Sequence, residues 1–163
     1  MKTLLRTLLY LALIVWLGAE VFFPVVAAIT FTTLQPDTHT AGLVVGHLLR
    51  ILHGMGLVCG MVLLALLVLA PAWGVYRPRI ALAAIAPIVL MIMLTSYSQW
   101  VIIPSMERDR IAAGGAIDTT TTGNPYTADF NRLHNRSENF EMTVLLLGVI
   151  SVVIVAIAET RKP

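Results

Sequence analysis

The sequence has almost no cysteine and little charge. Cys59 is the one cysteine among 163 residues, so no intrachain disulfide can form. Charged residues make up 12% of the chain against 58% hydrophobic residues, a balance that excludes a water-soluble domain with a polar exterior. The basic residues stand in short groups beside apolar runs and form no patch suited to phosphates, so we expect no nucleic-acid partner. The composition predicts an integral membrane protein in contact with the lipid bilayer.

Four apolar runs dominate the chain, and each can cross a bilayer, which needs about 20 apolar residues in a helix. The first run follows Lys2 and Arg6 and has about 25 residues, which is too long for a signal peptide with its apolar region of about 7 to 15. We therefore predict an all-α fold, an integral membrane four-helix bundle in one domain over residues 1–163. The expected helices cover residues 7–33, 41–70, 80–103 and 128–158, with boundaries that are approximate.

Local signals set the expected helix ends. Thr40 and Thr127 can act as N-caps of the second and fourth helices, because a threonine hydroxyl accepts a hydrogen bond from a free backbone N–H. Pro104 is expected to end the third helix, since proline lacks the N–H that a helix interior requires. Residues 105–126 are then expected to form an outer loop with one short helical turn at most.

The second predicted helix contains two pairs of glycines with a spacing of four residues. Small residues at this spacing let a neighbouring helix approach closely. We therefore expect the helix to pack tightly against other helices at Gly42 with Gly46 and at Gly56 with Gly60.

Basic residues are unevenly divided between the two ends of the predicted helices. One end carries six basic residues and a single acid, which are Lys2, Arg6, Arg77, Arg79, Arg161, Lys162 and Glu159. The other end mixes acids and arginines. Because Lys and Arg collect in cytoplasmic loops, both termini are predicted to be cytoplasmic. The expected location is the inner (plasma) membrane, as a multi-pass protein.

Ionisable side chains from all four predicted helices fall in the outer half of the bilayer. Charged groups at that depth cost about 2.5 to 3.5 kcal/mol each, so they should face one another or a wet cavity. Arg50 needs an acidic partner, for which Glu20, Glu138 and Glu141 are the candidates. We predict an outward-opening polar pocket that binds or transports a small cation or metal. Its expected residues are Glu20, His47, Arg50, His53, Tyr97, His134, Ser137, Glu138 and Glu141.

Other interpretations of these residues stay open. Imidazoles and carboxylates suit a divalent first-row metal, for which the candidate ligands are His47, His134 and Glu141. Haem is an alternative, with His47 or His53 opposite His134 as axial ligands, in an electron-transfer protein. The chain could also be a structural or accessory subunit whose polar network only fixes helix packing. A small organic ligand in the pocket is a further alternative, and the sequence specifies neither the ligand nor the oligomeric state.

The fourth predicted helix begins with a polar segment. At 100° per residue His134, Glu138 and Glu141 share one face, with Arg136 on the opposite one. The acidic face is expected to point into the bundle, and the basic face towards water or headgroups. Ser137 follows His134 by three residues, but this spacing offers no oxyanion arrangement, and no catalytic residue is predicted.

Residues 130–137, Phe-Asn-Arg-Leu-His-Asn-Arg-Ser, resemble a family signature. They are similar to the Phe-x-x-Leu-His-x-x-Ser motif of the transmembrane protein 205-like family, whose bacterial members form a domain of unknown function. Three further elements agree in order along the chain, which are Trp16-Leu17-Gly18, Ala41-Gly42 with Val45-Gly46, and Ile103-Pro104 with Arg108. The resemblance implies four membrane helices and no assigned activity. It marks Trp16, Gly18, His134 and Ser137 as matching positions.

The chain departs from that family at its acidic and imidazole residues. Members often carry Asn seven residues after the signature histidine, where this chain has Glu141. Glu20 and His47 are also additions to the usual pattern. A neutral polar network in the relatives is therefore expected to be an acidic, ion-binding one in this chain.

Overall fold

The computed structural model describes residues 1–115, 117 and 124–160. Helices account for nearly all of them, and no β-strand occurs among these residues, so the all-α prediction is confirmed. The elements in chain order are α1 (Lys2–Thr33), α2 (Thr38–Leu69), α3 (Pro78–Tyr97), a π-helical turn (Ser98–Ile102), α4 (Ile103–Ala112) and α5 (Pro125–Thr160).

Four stretches of helix are long and apolar enough to cross a membrane, as predicted. They are Lys2–Thr33, Thr38–Leu69, Pro78–Ala112 and Pro125–Thr160. Large apolar side chains such as Leu4, Ile14 and Phe22 remain more than 60% exposed on the outside of the bundle. In water such a surface would be unfavourable, whereas lipid tails solvate it, so the protein is a multi-pass membrane protein.

The helices pack in the order α1, α2, α3 and α5, and α4 continues the contact of α3 along α5. The apolar core is concentrated at the end of the bundle that holds the N-terminus. It includes Leu5, Leu9, Trp16, Leu63, Leu67, Ile88, Met91, Val144 and Val155. Towards the opposite end the α1 and α2 pair separates from the α4 and α5 pair, and this separation leaves room for the cavity described below.

Trp16 fixes the distance between α1 and α2. Its indole is fully buried beside two glycines of α2. A Cβ at Gly56 would stand 2.5 Å from Trp16 Nε1, and a Cβ at Gly60 would stand 2.9 Å from Trp16 Cζ3. This glycine pair therefore makes the close contact that the sequence predicts. Gly42 and Gly46 do not, since nothing lies within 4 Å of a Cβ at either position.

The third span does not end at Pro104. A π-turn precedes the proline, and α4 then continues to Ala112, where the sequence predicts an irregular loop from residue 105. Pro104 lies in the first turn of α4, the one place in a helix where its missing N–H costs nothing. The wider π-turn supplies the change in backbone spacing that a proline within a continuous helix requires. The rest of the predicted loop includes residues outside the described ones, namely 116 and 118–123.

The two predicted threonine caps are wrong. Asp37 caps α2, because its carboxylate accepts hydrogen bonds from the backbone N–H of Thr40 at 2.9 Å and from the Thr40 hydroxyl at 2.6 Å. These bonds hold the pKa of Asp37 below its usual value. At the start of α5, Asn124 accepts from the backbone N–H of Tyr126 at 3.0 Å. Thr127 is the third residue of α5, and its hydroxyl is buried without a hydrogen-bond partner among the described residues.

Candidate functional site

A cavity of about 960 Å³ lies between α1 and α2 on one side and α4 and α5 on the other. The α1 part of its wall is apolar, with Phe23, Ala27 and Phe31, and apolar side chains of α2, α4 and α5 also line it. The other three helices contribute ionisable side chains. These are His39, His47 and Arg50 of α2, Glu107 and Arg110 of α4, and His134, Glu138 and Glu141 of α5.

Two acids of the cavity wall are paired with a base on their own helix. Arg110 binds Glu107 with two hydrogen bonds of 2.6 and 2.9 Å. His134 Nε2 lies 3.3 Å from Glu138 Oε1, one turn along α5. Because both pairs are local, they neutralise their own stretch of wall and do not connect the two sides of the cavity.

Arg50 is not held by any of the three predicted acids. The side chain is exposed on the cavity wall and makes no ion pair among the described residues. The charges of Arg50 and His47 act on Glu107 at longer range, but both carboxylate oxygens of Glu107 are already bonded to Arg110. The prediction fails because Glu141 pairs with a histidine of α2 that lies almost one turn deeper.

That histidine is His53, which is fully buried and bonded through both ring nitrogens. Its Nε2 lies 2.7 Å from Glu141 Oε1, and its Nδ1 lies 3.1 Å from Gln99 Oε1. An amide oxygen can only accept, so Nδ1 carries a proton in this arrangement. Nε2 can then either accept a proton from a neutral Glu141 or donate one to the carboxylate, and the two arrangements differ by the position of one proton.

Glu141 has one carboxylate oxygen to spare. Oε1 is bonded to His53, whereas Oε2 is buried and has no hydrogen-bond partner among the described residues. Glu141 also lines the cavity. A buried oxygen without a partner costs about 1 to 3 kcal/mol, and more when it carries charge. Glu141 therefore holds a buried, unsatisfied carboxylate oxygen next to the cavity that its side chain lines.

Glu20 lies beside this pair without reaching the cavity wall. It is buried, and its Oε1 accepts a hydrogen bond of 3.1 Å from the indole N–H of Trp16. Its carboxylate is close enough to interact electrostatically with both Glu141 and His53. Trp16, Glu20, His53, Gln99 and Glu141 together form what we call the inner cluster, which brings residues of α1, α2, the π-turn and α5 to one place.

The π-turn carries two polar residues of this region. Gln99 reaches His53, and the hydroxyl of Ser98 lies 3.4 Å from that of Ser137 on α5, both buried. A π-turn inserts a residue relative to the α-helical repeat, so successive side chains change direction there. Thr95, one turn earlier, has a buried hydroxyl without a partner among the described residues.

The sequence-predicted pocket residues separate into three groups. Those that line the cavity are His47, Arg50, His134, Ser137, Glu138 and Glu141. Glu20 and His53 are buried behind the wall in the inner cluster. Tyr97 belongs to neither group, because its ring is exposed and stacks obliquely on Phe140 with centroids 5.9 Å apart.

The candidate metal ligands do not come together. Among the described residues no group of three or more His, Cys, Asp or Glu side chains is placed to hold a metal ion. His47 Nδ1 is bonded to the carbonyl of Leu43, His134 is beside Glu138, and Glu141 is bonded to His53. For haem, both nitrogens of His53 are occupied, so this histidine is not free to act as an axial ligand.

The sequence prediction missed several residues of the site, among them Gln99, Glu107 and Arg110. Gln99 could not be assigned, because the π-turn breaks the 100° rotation on which the assignment of helix faces depends. Glu107 and Arg110 were placed in a loop. Their spacing of three residues with opposite charge is typical of a helix, and that signal was available in the sequence.

Comparison with protein families gives one match, over residues 11–110, to a family described as Domain of unknown function (DUF4149). The matched segment contains His53 and Gln99 of the inner cluster, whereas Glu141 lies beyond it. No similar curated protein and no similar solved structure was found. The motif at residues 130–137 also lies beyond the match, so the resemblance to the transmembrane protein 205-like family stays a prediction.

Proposed function

The chain belongs to the family described as Domain of unknown function (DUF4149), and from the geometry of its cavity we propose that it binds a proton or a small monovalent cation at Glu141. The family description assigns no activity, so the proposal rests on the chemistry of the site. The observation that carries it is the Oε2 atom of Glu141, which is buried, without a partner among the described residues, and part of a residue that lines the cavity.

The charges of the inner cluster support this proposal. Glu20 and Glu141 are two carboxylates, and the base beside them is His53, which is bonded to Glu141 and interacts electrostatically with Glu20. With both acids ionised and the imidazole protonated, the cluster carries one net negative charge inside the membrane, where uncompensated charge costs about 2.5 to 3.5 kcal/mol. One proton or one monovalent cation restores neutrality. The cluster is therefore suited to take up a single positive charge from the cavity.

The hydrogen bonds around His53 allow this uptake without rearrangement. Gln99 fixes the proton on Nδ1, and Nε2 keeps its contact with Glu141 Oε1 whether or not Oε2 is occupied. A proton or cation that arrives at Oε2 thus neutralises the carboxylate while the link between α2 and α5 stays in place. A divalent metal is less suitable, since it prefers three or four protein ligands and the described residues offer no such group.

The orientation proposed from the basic residues places the cavity on the outer side. Lys2, Arg6, Arg77 and Arg79 all stand at the opposite end of the helices from the cavity, an asymmetry that favours cytoplasmic termini in the inner membrane. We also propose that the chain is related to the transmembrane protein 205-like family. It is supported by His134 and Ser137 of the signature, which both lie on the cavity wall.

A structural role for the inner cluster is the competing proposal. His53 bonds to α5 and to the π-turn at once, and Ser98 meets Ser137 nearby, so these contacts hold three helical segments together. A cluster that serves packing alone needs no exchangeable charge. The two proposals differ in whether the cluster responds to protons and cations supplied from the cavity.

The experiment is a titration of the purified protein in phosphatidylcholine nanodiscs. Addition of Na⁺ or K⁺ to a weakly buffered solution should release about one proton per chain, which a pH-sensitive dye measures. If the site takes up protons alone, a change of pH should shift the melting temperature. Glu141→Gln should remove the response. Glu138→Gln is the matched control, because this carboxylate lines the same cavity on the same helix but is exposed and paired with His134.

Three results contradict the proposal. If Glu141→Gln and Glu138→Gln change the titration equally, the response is a general property of the acidic wall. If the parent protein neither releases protons nor shifts its melting temperature, the structural role is favoured. A stoichiometric metal found by elemental analysis of protein purified without chelators would instead favour the metal interpretation.

A further inference from the structure

The α2 wall of the cavity carries positive charge that no described side chain neutralises. Arg50 is 12 residues from the first residue of α2, which places it about 18 Å along the helix from that end. A guanidinium at such depth is expensive unless an anion or water accompanies it. His47 stands one turn before Arg50 on the same wall. Its Nδ1 is bonded to the Leu43 carbonyl, and its Nε2 has no hydrogen bond to a described residue.

The acids that line the cavity are each paired with a base other than Arg50. Glu107 uses both oxygens on Arg110, Glu138 is beside His134, and Glu141 is bonded to His53. This accounts for the three acids that line the cavity. No described acid is therefore left to pair with Arg50, and its charge is available to a ligand that enters the cavity.

The α1 part of the cavity wall, which adjoins α2, is apolar. Phe23, Ala27 and Phe31 of α1 line it, and the cavity volume of about 960 Å³ is far larger than a hydrated monovalent cation needs. Ligand pockets of about 300 to 1,000 Å³ bury organic molecules with apolar walls and a few polar anchors. The volume and the α1 wall thus match an organic ligand with an apolar body.

The backbone of α2 is bare beside Arg50. Gly42 and Gly46 both line the cavity, and nothing lies within 4 Å of a Cβ at either position. Glycine in a helix interior costs about 1 kcal/mol relative to alanine, and here no neighbouring helix requires it. The missing side chains leave open volume one turn from the guanidinium, where the body of a ligand can lie against the helix.

We propose that the cavity binds an amphipathic anion, with a phosphate or carboxylate on Arg50 and its apolar body between α2 and the Phe23 and Phe31 side chains. A guanidinium can bind either a phosphate or a carboxylate through two parallel hydrogen bonds, a geometry that the ammonium group of lysine does not offer. This site uses the wall of the cavity and not the inner cluster. It therefore stands or fails independently of proton or cation binding at Glu141.

The experiment measures ligand binding by native mass spectrometry from dodecyl maltoside micelles. The probe is dodecyl phosphate, and the comparison ligands are inorganic phosphate, which has no tail, and dodecyltrimethylammonium, which has the tail with the opposite charge. Phosphatidylglycerol is a fourth ligand that tests whether a bilayer lipid can supply the anion. The parent protein should bind dodecyl phosphate, and neither of the two comparison ligands should compete with it.

Three substitutions connect binding to the proposed contacts. Arg50→Gln should weaken dodecyl phosphate binding by roughly tenfold or more, since a charge-assisted hydrogen bond is lost. Gly46→Leu should weaken it by occupying the open volume, and this variant should fold because the position is unobstructed. Arg108→Gln is the matched control. This arginine is exposed on α4, bonded to Ser105, and does not line the cavity.

The outcomes are decisive in both directions. Competition by phosphatidylglycerol identifies the bilayer as the source of the ligand, and binding of dodecyl phosphate without such competition identifies a dissolved amphiphile; both support the proposal. Equal binding of inorganic phosphate overturns the apolar part of it. Unchanged binding in Arg50→Gln overturns the site, as does an equal loss in Arg108→Gln. Arg50→Gln should keep the proton and cation response of the parent, because Arg50 is not part of the inner cluster, so the two proposals can fail separately.

Discussion

His53 and Glu141 are 88 positions apart in the chain, and His53 Nε2 lies 2.7 Å from Glu141 Oε1. The contact joins α2 to α5, and the bond from His53 Nδ1 to Gln99 extends it to the π-turn. The buried imidazole thus connects three helical segments, and its partner Glu141 also lines the cavity. Substitutions at this junction therefore test stability and charge together.

We expect His53→Ala to destabilise the protein by about 3 to 5 kcal/mol. Removal of one partner of a buried pair leaves the Glu141 carboxylate uncompensated, and Gln99 loses its donor as well. Thermal unfolding in detergent measures the effect. His47→Ala is the control. The His47 ring is exposed on the same helix, so this variant should unfold at a temperature close to that of the parent. Equal losses in the two variants would mean that the His53 contacts contribute no more than a surface side chain.

Arg50→Ala should change the melting temperature very little, in contrast to the expectation from the sequence alone. The guanidinium is exposed and has no ion pair among the described residues, so its removal leaves no buried acid behind. Arg110→Ala should cost more, about 0.5 to 1 kcal/mol, because it breaks the paired bonds to Glu107, which are partly exposed, and the bond to the Gly115 carbonyl. A larger loss in Arg50→Ala than in Arg110→Ala would show that Arg50 has an acidic partner.

Gly56→Ala should destabilise the bundle by about 1 to 3 kcal/mol. Its Cβ would stand 2.5 Å from Trp16 Nε1, so the indole must shift and its hydrogen bond to Glu20 is lost or strained. Gly46→Ala is the matched control and should be neutral or stabilising, because alanine favours helix and the site is open. Thermal unfolding measures the stability, and tryptophan fluorescence reports the environment of Trp16 once the exposed Trp73 and Trp100 are replaced by Phe in both proteins. Parent-like emission and stability in Gly56→Ala would contradict this packing.

We expect the protein to lose stability at alkaline pH because of Tyr76. Its hydroxyl is buried and donates a 2.7 Å hydrogen bond to Glu159 Oε1, and burial and this bond raise the pKa of Tyr76 above its ordinary value of about 10. A raised pKa means that the stabilisation is complete below about pH 10 and is lost as the pH rises towards the folded-state pKa. Tyr76→Phe should lose this part of the pH dependence. Tyr126→Phe, an exposed tyrosine, should keep the parent profile in melts between pH 8 and 11.

Reporter fusions test the orientation. Fusions after Asp37 and after residue 118 should report the outer side, and fusions after Arg79 and Pro163 the cytoplasm, because basic residues collect at the end that holds the N-terminus. Paired cytoplasmic and periplasmic reporters give the reading at each position. A cytoplasmic signal after residue 118 would reverse the orientation and place the cavity on the inner side.

The number and approximate bounds of the membrane spans followed from the sequence. Hydropathy and run length are properties of each segment alone, and in lipid a spanning segment must satisfy its backbone within its own helix. The acidic and imidazole residues of the wall were also recognisable, since ionisable groups are expensive in such segments. The helix ends were less certain. Asp37 and not Thr40 caps α2, and Pro104 lies in the first turn of a helix where it was expected to end one.

The pairing of these residues was decided by the tertiary structure. Helical spacing places His47, Arg50 and His53 near one another on α2, but it does not say which of them meets α5. Only the packing of α1 against α2 through Trp16 and Gly56 sets the depth and rotation that bring His53 to Glu141 and leave Arg50 on the cavity wall. The π-turn adds a residue to the third span and so redirects the side chains that follow it. Spacing along one helix is a local property, whereas contacts between helices depend on the rotation and depth of both partners.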